Sequence, residues 1–339
     1  MKLRDYIIRR LLLLIPVMVG LSLIVFALTR VGGDPASLYI TERMTEAQIR
    51  EVYIKYGLNQ PIWVQYLRWL FAALQGDLGY TRTQHMQVTD ALIQFFPATF
   101  ELTTVSIFFA VVFAIPLGIL SARRRNEPID HASRVFALAG VSIPIFWLAV
   151  MLQFVLSYSF PIFPLGGRFD ANAGYYFQVP QRTYFYTIDS LLAGNLNAFA
   201  DAVYHLILPS VALSYASMAI ITRIMRSSML EVLGAEYIKT ARAKGLEEKL
   251  VIMKHAVRNA LIPTTTVIGL SYGGLLGGAV LTETIFRWPG LGFWSVSAAL
   301  ARDLAAVLGF TLLAAIVYVL VNLIVDITYA YLDPRIRLD

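Results

Sequence analysis

The chain contains no cysteine among its 339 residues. That removes disulfides, thiolate metal sites and cysteine nucleophiles at once. Charge is also scarce: Asp, Glu, Lys and Arg make up 15% of the residues, against 58% hydrophobic ones. Such a balance excludes an ordinary soluble domain and points to a polytopic helical membrane protein. Chemical signatures are missing too. No GxxxxGK followed by Ser or Thr occurs, so the usual phosphate cradle of an ATPase is absent, and there is no HExxH. The histidines His85, His131, His205 and His255 fall in loops or at span ends without ligand-like spacing and read as solvated or locally bonded. No nucleophile elbow accompanies the serines, so hydrolase chemistry has no support.

What remains is a series of long apolar runs. Lys2, Arg4, Arg9 and Arg10 precede an uninterrupted run of 18 residues, Leu11 to Leu28. A signal peptide is the competing reading, but the run is long and Thr29-Arg30-Val31 is no cleavage site. We read residues 1–29 as a cytoplasmic N-terminus and span 1. Residues 30–97 form a polar external segment with a GGDP turn at 32–35 and helices expected at 44–56 and 61–75, the second opened by Pro61. Trp63, Tyr66 and Trp69 fall on one face, suited to a membrane interface or to packing within a small external domain.

Residues 98–339 then read as a five-helix core. Span 2 is expected over 99–120, with Glu101 at its outer end, where exposure would make a carboxylate cheap, and Arg123, Arg124 and Arg125 as its stop. Span 3 covers 135–158 and is kinked at Pro144; a second external segment follows over 160–204. Span 4 runs over 206–224, beginning near Pro209, and span 5 over 262–281. Span 5 carries Gly269, Gly273, Gly274, Gly277 and Gly278, in which the 273/277 and 274/278 pairs would let another helix approach closely. An external loop at 282–292, span 6 over 305–331 and a short tail complete the chain.

Lys and Arg total 18 on the side holding both termini and the 223–260 segment, against 10 spread over the longer opposite loops. The richer side is expected to be cytoplasmic. Span centres hold almost no ionisable groups; Asp326, near Asn322, lies toward the inner end of span 6. A proton- or sodium-coupled carrier needs such groups, so any transport is expected to take its energy from elsewhere.

Residues 228–262 are the longest polar interruption that still reads as ordered helix. Glu231 and Glu236 come before Lys239, Arg242 and Lys244; after Gly245, Glu247 and Glu248 come before Lys254 and Arg258. Acid-first, base-last order suits the dipoles of two successive helices, and Gly245 suits a left-handed stop between them. Leu246, Leu250, Met253, Val257 and Leu261 make one apolar stripe. Two arrangements fit: an amphipathic pair on the lipid surface, or an exposed elbow with arms of about 15 residues, standing ~20 Å from the membrane. Such an elbow, joined rigidly to spans 4 and 5, can act as a lever for a separate motor.

The stretch YIKTARAKGLEEKLVIMKHAVRNALIP, Tyr237 to Pro263, resembles the coupling loop of dipeptide/oligopeptide-type ABC transporter permeases. The RR-apolar start, GDP at 33–35, GDLG at 76–79, ATFEL at 98–102, SIPIFW at 142–147, RSSMLEVL at 226–233, LTETIFRWPGLG at 281–292 and DPRIR at 333–337 are similar to the same family in the same order. The resemblance covers essentially the whole chain and is nearest to the first, B-type, permease subunit. It implies an all-α membrane protein with six transmembrane helices in the type I ABC importer permease fold. Lys239, Thr240 and Ala241 stand where the general family has Glu-Ala-Ala, so any role of that carboxylate is absent here. By resemblance, coupling to the motor falls on Ile238, Lys239, Thr240, Ala241, Arg242, Ala243, Lys244, Gly245, Leu246, Glu247 and Glu248. The implied partners are a homologous second permease, two ATPase subunits that bind ATP and Mg, and an external substrate-binding protein delivering di- or oligopeptides. The chain itself would hold no cofactor and hydrolyse nothing. Related permeases carry nickel, glutathione or oligosaccharides, which is the alternative cargo; a stand-alone secondary carrier is the alternative mechanism.

Overall fold

A computed structural model describes residues 3–31, 34, 36, 39–40, 43–170, 172 and 177–332. Gly32, Gly33 and Pro35 of the expected first turn, the tail from 333, and the side chain of Asp326 lie outside that set. Apart from a two-residue hairpin, β1 (Tyr80–Thr81) and β2 (Met86–Gln87), the regular structure among these residues is helical.

The first helix, α1 (Leu3–Val31), contains the expected span. Beyond it, α2 (Glu46–Lys55) opens with a Thr45–Gln48 capping box, and α3 (Ile62–Leu74) starts directly after Pro61. The aromatic face divides. Tyr66 and Trp69 pack on Phe26 of α1, at ring separations of 5.3 and 5.8 Å, while Trp63 points away and is exposed. Residues at i and i+3 drift by about 60° around a helix, so a face three residues wide twice over cannot all reach one neighbour.

Span 2 is far longer than expected: α4 (Val88–Arg123) has 36 residues, with Pro97 and Pro116 inside it. Its early turns are held by burial of Val88, Ala91 and Leu92 in a cluster with Trp294 and Leu308. Span 3 is not a kinked rod. α5 (Pro128–Ser142) and α6 (Ile145–Gln153, with a wider π turn over Phe154–Ser159) meet at 103°. Pro144 ends up as the residue before α6, because a proline disfavours helical backbone in its predecessor, Ile143. After the short α7 (Tyr186–Leu192), span 4 is α8 (Leu196–Leu233), starting ten residues before Leu206 and running through Pro209. Asn195 caps it by accepting a bond from the Ala198 amide.

The chain continues through α9 (Glu236–Ala243), a short turn α10 (Glu248–Leu250), a π turn over Val251–Ala256, and α11 (Val257–Gly278), which is span 5. Then come α12 (Val280–Ile285), α13 (Leu291–Leu300) and α14 (Leu304–Leu332), the last being span 6. By length and apolarity α1, α4, α8 and α14 qualify as membrane spans, and α5 with α6 as a broken fifth. The Thr- and Gly-rich α11 is less apolar, yet its 22 residues reach about 33 Å and it packs between α4, α8 and α14.

At the centre lies α8, which touches α4, α5, α6, α7, α11 and α12. Small residues make that possible: Ala202, Ser210, Ala212, Ser214, Ser217 and Ala219 are buried along it. A Cβ on Gly140 of α5 would collide with Ala219. Between α11 and α14 the close approach is at Gly269 and Gly273, where added carbons would meet Val325 and Val321. Gly273 of the expected pairs thus makes the close approach, with Gly269 one turn earlier, while Gly274 faces open space; the surroundings of Gly277 and Gly278 lie outside the described set.

Candidate coupling elbow and the opposite polar corner

The expected turn forms. Gly245 adopts φ +75°, in the left-handed region, and its amide bonds to the Arg242 carbonyl. The arms are unequal, however. α8 stops at Leu233, so the first arm is only the eight residues of α9, about 12 Å long. The second arm runs through the π turn over 251–256 directly into α11, so the expected symmetrical ~20 Å corner is a shorter one.

Burial sorts the candidate residues into two groups. Ile238, fully buried, and Ala241 pack into a cluster with Ala122 of α4, Met225 and Met229 of α8, and Val251, Ile252, Ala256 and Ala260 leading into α11. Lys239, Thr240 and the whole run from Arg242 through Ala243, Lys244, Gly245, Leu246, Glu247 and Glu248 are exposed. The predicted apolar stripe is half wrong. Val257 is buried, but Leu246, Leu250 and Met253 point outward. The π turn over 251–256 adds a residue per turn, which rotates Val251 and Ile252 inward in place of Leu250 and Met253.

Across the turn, Arg242 grips Glu248 with two bonds, Nε to Oε2 at 3.0 Å and a terminal guanidinium nitrogen to Oε1 at 2.7 Å. The bond from Arg242 holds the Glu248 carboxyl below its ordinary range. Lys239 pairs with Glu236 at 2.7 Å, and the Thr240 hydroxyl bonds the Glu236 carbonyl. These exposed pairs shape the corner but add little stability, ~1 kcal/mol or less each. The buried base does more: Ile238 alone contributes roughly 1.5–3 kcal/mol. The first arm of the elbow is thus packed on α4 and α8 as well as on the second arm.

The far end of the bundle is polar inside. Glu101, expected to be exposed, is buried and accepts from Arg168 at 2.5 Å and from the amide and hydroxyl of Thr187. Arg168 also donates to the Tyr184 carbonyl, so one ion pair ties the 160–185 loop and α7 to α4. Glu283, fully buried, accepts from the Thr99 hydroxyl at 2.7 Å and the Phe293 amide at 3.0 Å. The Trp288 indole donates to the Ala98 carbonyl. Asp303 caps α14 and accepts from Thr81 and Thr83, pinning the hairpin. Sequence reasoning missed Arg168, Glu283 and Asp303. The signal for Glu283 was the PGLG run just after it: a Cβ on Gly290 would lie 2.6 Å from its carboxyl group. His205 is locally bonded as expected, through Nδ1 to the Asp201 carbonyl.

Helices of spanning length packed around a central α8, with an elbow embedded among them, define a polytopic helical membrane protein. Residues 114–338 match the family model "Binding-protein-dependent transport system inner membrane component", and residues 3–103 match that family's N-terminal model. The chain belongs to this family, in the type I ABC importer permease fold. It is 42% identical over 335 residues to the dipeptide transport system permease protein DppB of Escherichia coli (strain K12), covering 98% of each. It is 43% identical to the di/tripeptide transport system permease protein DppB of Pseudomonas aeruginosa (strain UCBPP-PA14), again over 98% of each. With the oligopeptide transport system permease protein AppB of Bacillus subtilis (strain 168) it shares 39%, over 98% of this chain and 99% of that one. The resemblance to peptide-type ABC permeases thus runs from end to end.

Proposed function

We propose that this chain is the membrane-spanning subunit of an ATP-driven importer of di- and oligopeptides. Both termini and the Gly245 elbow lie in the cytoplasm, as the lysine and arginine bias favours. A homologous second permease completes the pore, and two ATPase subunits bind the nucleotide and Mg; this chain holds neither and catalyses nothing. ATP binding closes the motors around residues 238–248. Because Ile238 and Ala241 are embedded among α4, α8 and the start of α11, a push on the corner moves these helices together. The pore then opens outward, takes peptide from the binding protein docked on the 30–97, 160–204 and 282–292 segments, and is reset by hydrolysis. Exposed Leu246, Leu250 and Met253 offer the motor an apolar grip, and Lys239, Arg242 and Lys244 a basic rim.

The observation carrying this reading is the combination at the elbow of a buried base and an exposed tip. Its test is Gly245→Asp combined with Arg242→Glu. With normal membrane abundance, peptide uptake and ligand-stimulated ATP turnover should both fall at least tenfold. Wild-type levels of both would remove the coupling assignment. Uptake of labelled dipeptide against nickel, glutathione and oligosaccharide identifies the cargo.

A further inference from the structure

Between α5 and α8, toward the elbow end, lies a groove of about 410 Å³ whose chemistry the transport cycle leaves unused. Arg134, Arg223 and Arg226 line it. Asp130 is the carboxylate facing them, bonded by Arg226 at 2.6 Å and approached by Arg134 at 3.9 Å. Three guanidinium groups against one carboxylate leave the groove with surplus positive charge. Arg134 also bonds the exposed ring of His131. Arg223 makes no ion pair or hydrogen bond among the described residues. The opposite wall is apolar, with Leu138 and Val141 69% and 55% exposed. Thr222, 1% exposed, closes the back of the groove.

We propose that this groove is a binding site for one anionic phospholipid. The headgroup phosphate sits against Arg223, with Arg134 beside it; the acyl chains run along Leu138 and Val141. Charge and shape both favour this occupant. A free phosphate would leave the apolar wall uncovered, and a neutral lipid would leave the cations unanswered. The level is right as well. Asp130 lies in the first turn of α5, so the arginines mark the elbow-side edge of the membrane, where basic pockets between helices hold acidic headgroups. The site rests on the membrane reading of the fold and not on the coupling cycle, so it stands or falls separately from peptide uptake.

The test is native mass spectrometry of the full chain extracted in mild detergent with its natural partners. About one phosphatidylglycerol or cardiolipin should remain per chain, and Arg223→Gln should reduce that retention roughly fivefold. If the variant is too poorly folded to judge, melting of the delipidated wild-type protein gives a second readout. Phosphatidylglycerol should raise Tm where phosphatidylcholine and inorganic phosphate do not. Equal stabilisation by phosphate would make the site one for soluble anions, and equal stabilisation by phosphatidylcholine would reduce it to bulk lipid contact. Efficient cross-linking of Leu138→Cys to the second permease would make the groove a subunit interface. Each of these three results overturns the proposal.

Discussion

Glu283 carries a fully buried carboxyl group. It lies in α12, outside the spanning helices, wrapped by Gly290 and Gly292 and bonded by Thr99 and the Phe293 amide. Burial pushes its pKa from an ordinary 4.5 up to about 7, against the pull of those hydrogen bonds. The folded chain therefore binds this proton more tightly than the unfolded chain does. The linked stability is fully present below pH 4.5 and is lost as pH rises through about 7. A shift of that size corresponds to about 3 kcal/mol across the window. Glu283→Gln keeps the volume and removes the titration, so its melting temperature should change less between pH 4.5 and 7.5 than that of the wild type. An unchanged slope in the variant would assign the pH dependence to other groups. Little of this was legible beforehand. A glutamate in a loop reads as solvated until the close approach of the glycines beyond it is known.

At the scale of elements, the two ends of the bundle are fastened differently. At the elbow the fastening is apolar, through Ile238 and its neighbours. At the far end it is ionic, through Glu101 and Arg168, both 10% exposed or less. A buried pair of this kind costs far more to halve than to replace. Arg168→Ala, which strands Glu101, should destabilise by roughly 3–5 kcal/mol. Arg168→Leu with Glu101→Leu should recover most of that loss. A thermal double-mutant cycle reads the difference, and additive losses would show that the pair is not coupled. These fastenings explain which elements could be foreseen. The acid-to-base order and Gly245 placed the elbow, because local dipole and turn chemistry act within a few residues. Element lengths were not legible. α4 and α8 extend beyond their apolar cores because distant partners such as Trp294 cover their polar turns, and such partners leave no local trace. The same holds for Arg168, 67 residues from Glu101 along the chain. The outward turn of Leu250 and Met253 depends on a π turn, which no periodicity in this stretch announces.

For the whole molecule, the proposed coupling turns on how rigidly the elbow is joined to the helices it would move. α8 touches six other helices through small side chains, and the elbow's base is embedded where α4, α8 and α11 meet. Close-packed interiors do not deform continuously; they shift as units or not at all. Force applied near Gly245 should therefore rotate this bundle as a body against its partner rather than bend the corner. The absence of cysteine makes the idea directly measurable, since any introduced thiol is unique. Spin labels at Lys244→Cys and Glu231→Cys, one on the exposed tip and one on exposed α8, report the inside of the lever. Their separation should change by no more than about 2 Å between the nucleotide-free and ATP-trapped complex, the scale of small helix adjustments. A label at Lys244→Cys paired with one on the second permease should move much further. If instead the internal distance changes while the distance between subunits stays fixed, the elbow is a hinge that absorbs the motor's stroke. Transport would then have to be driven through some contact other than the buried base of α9.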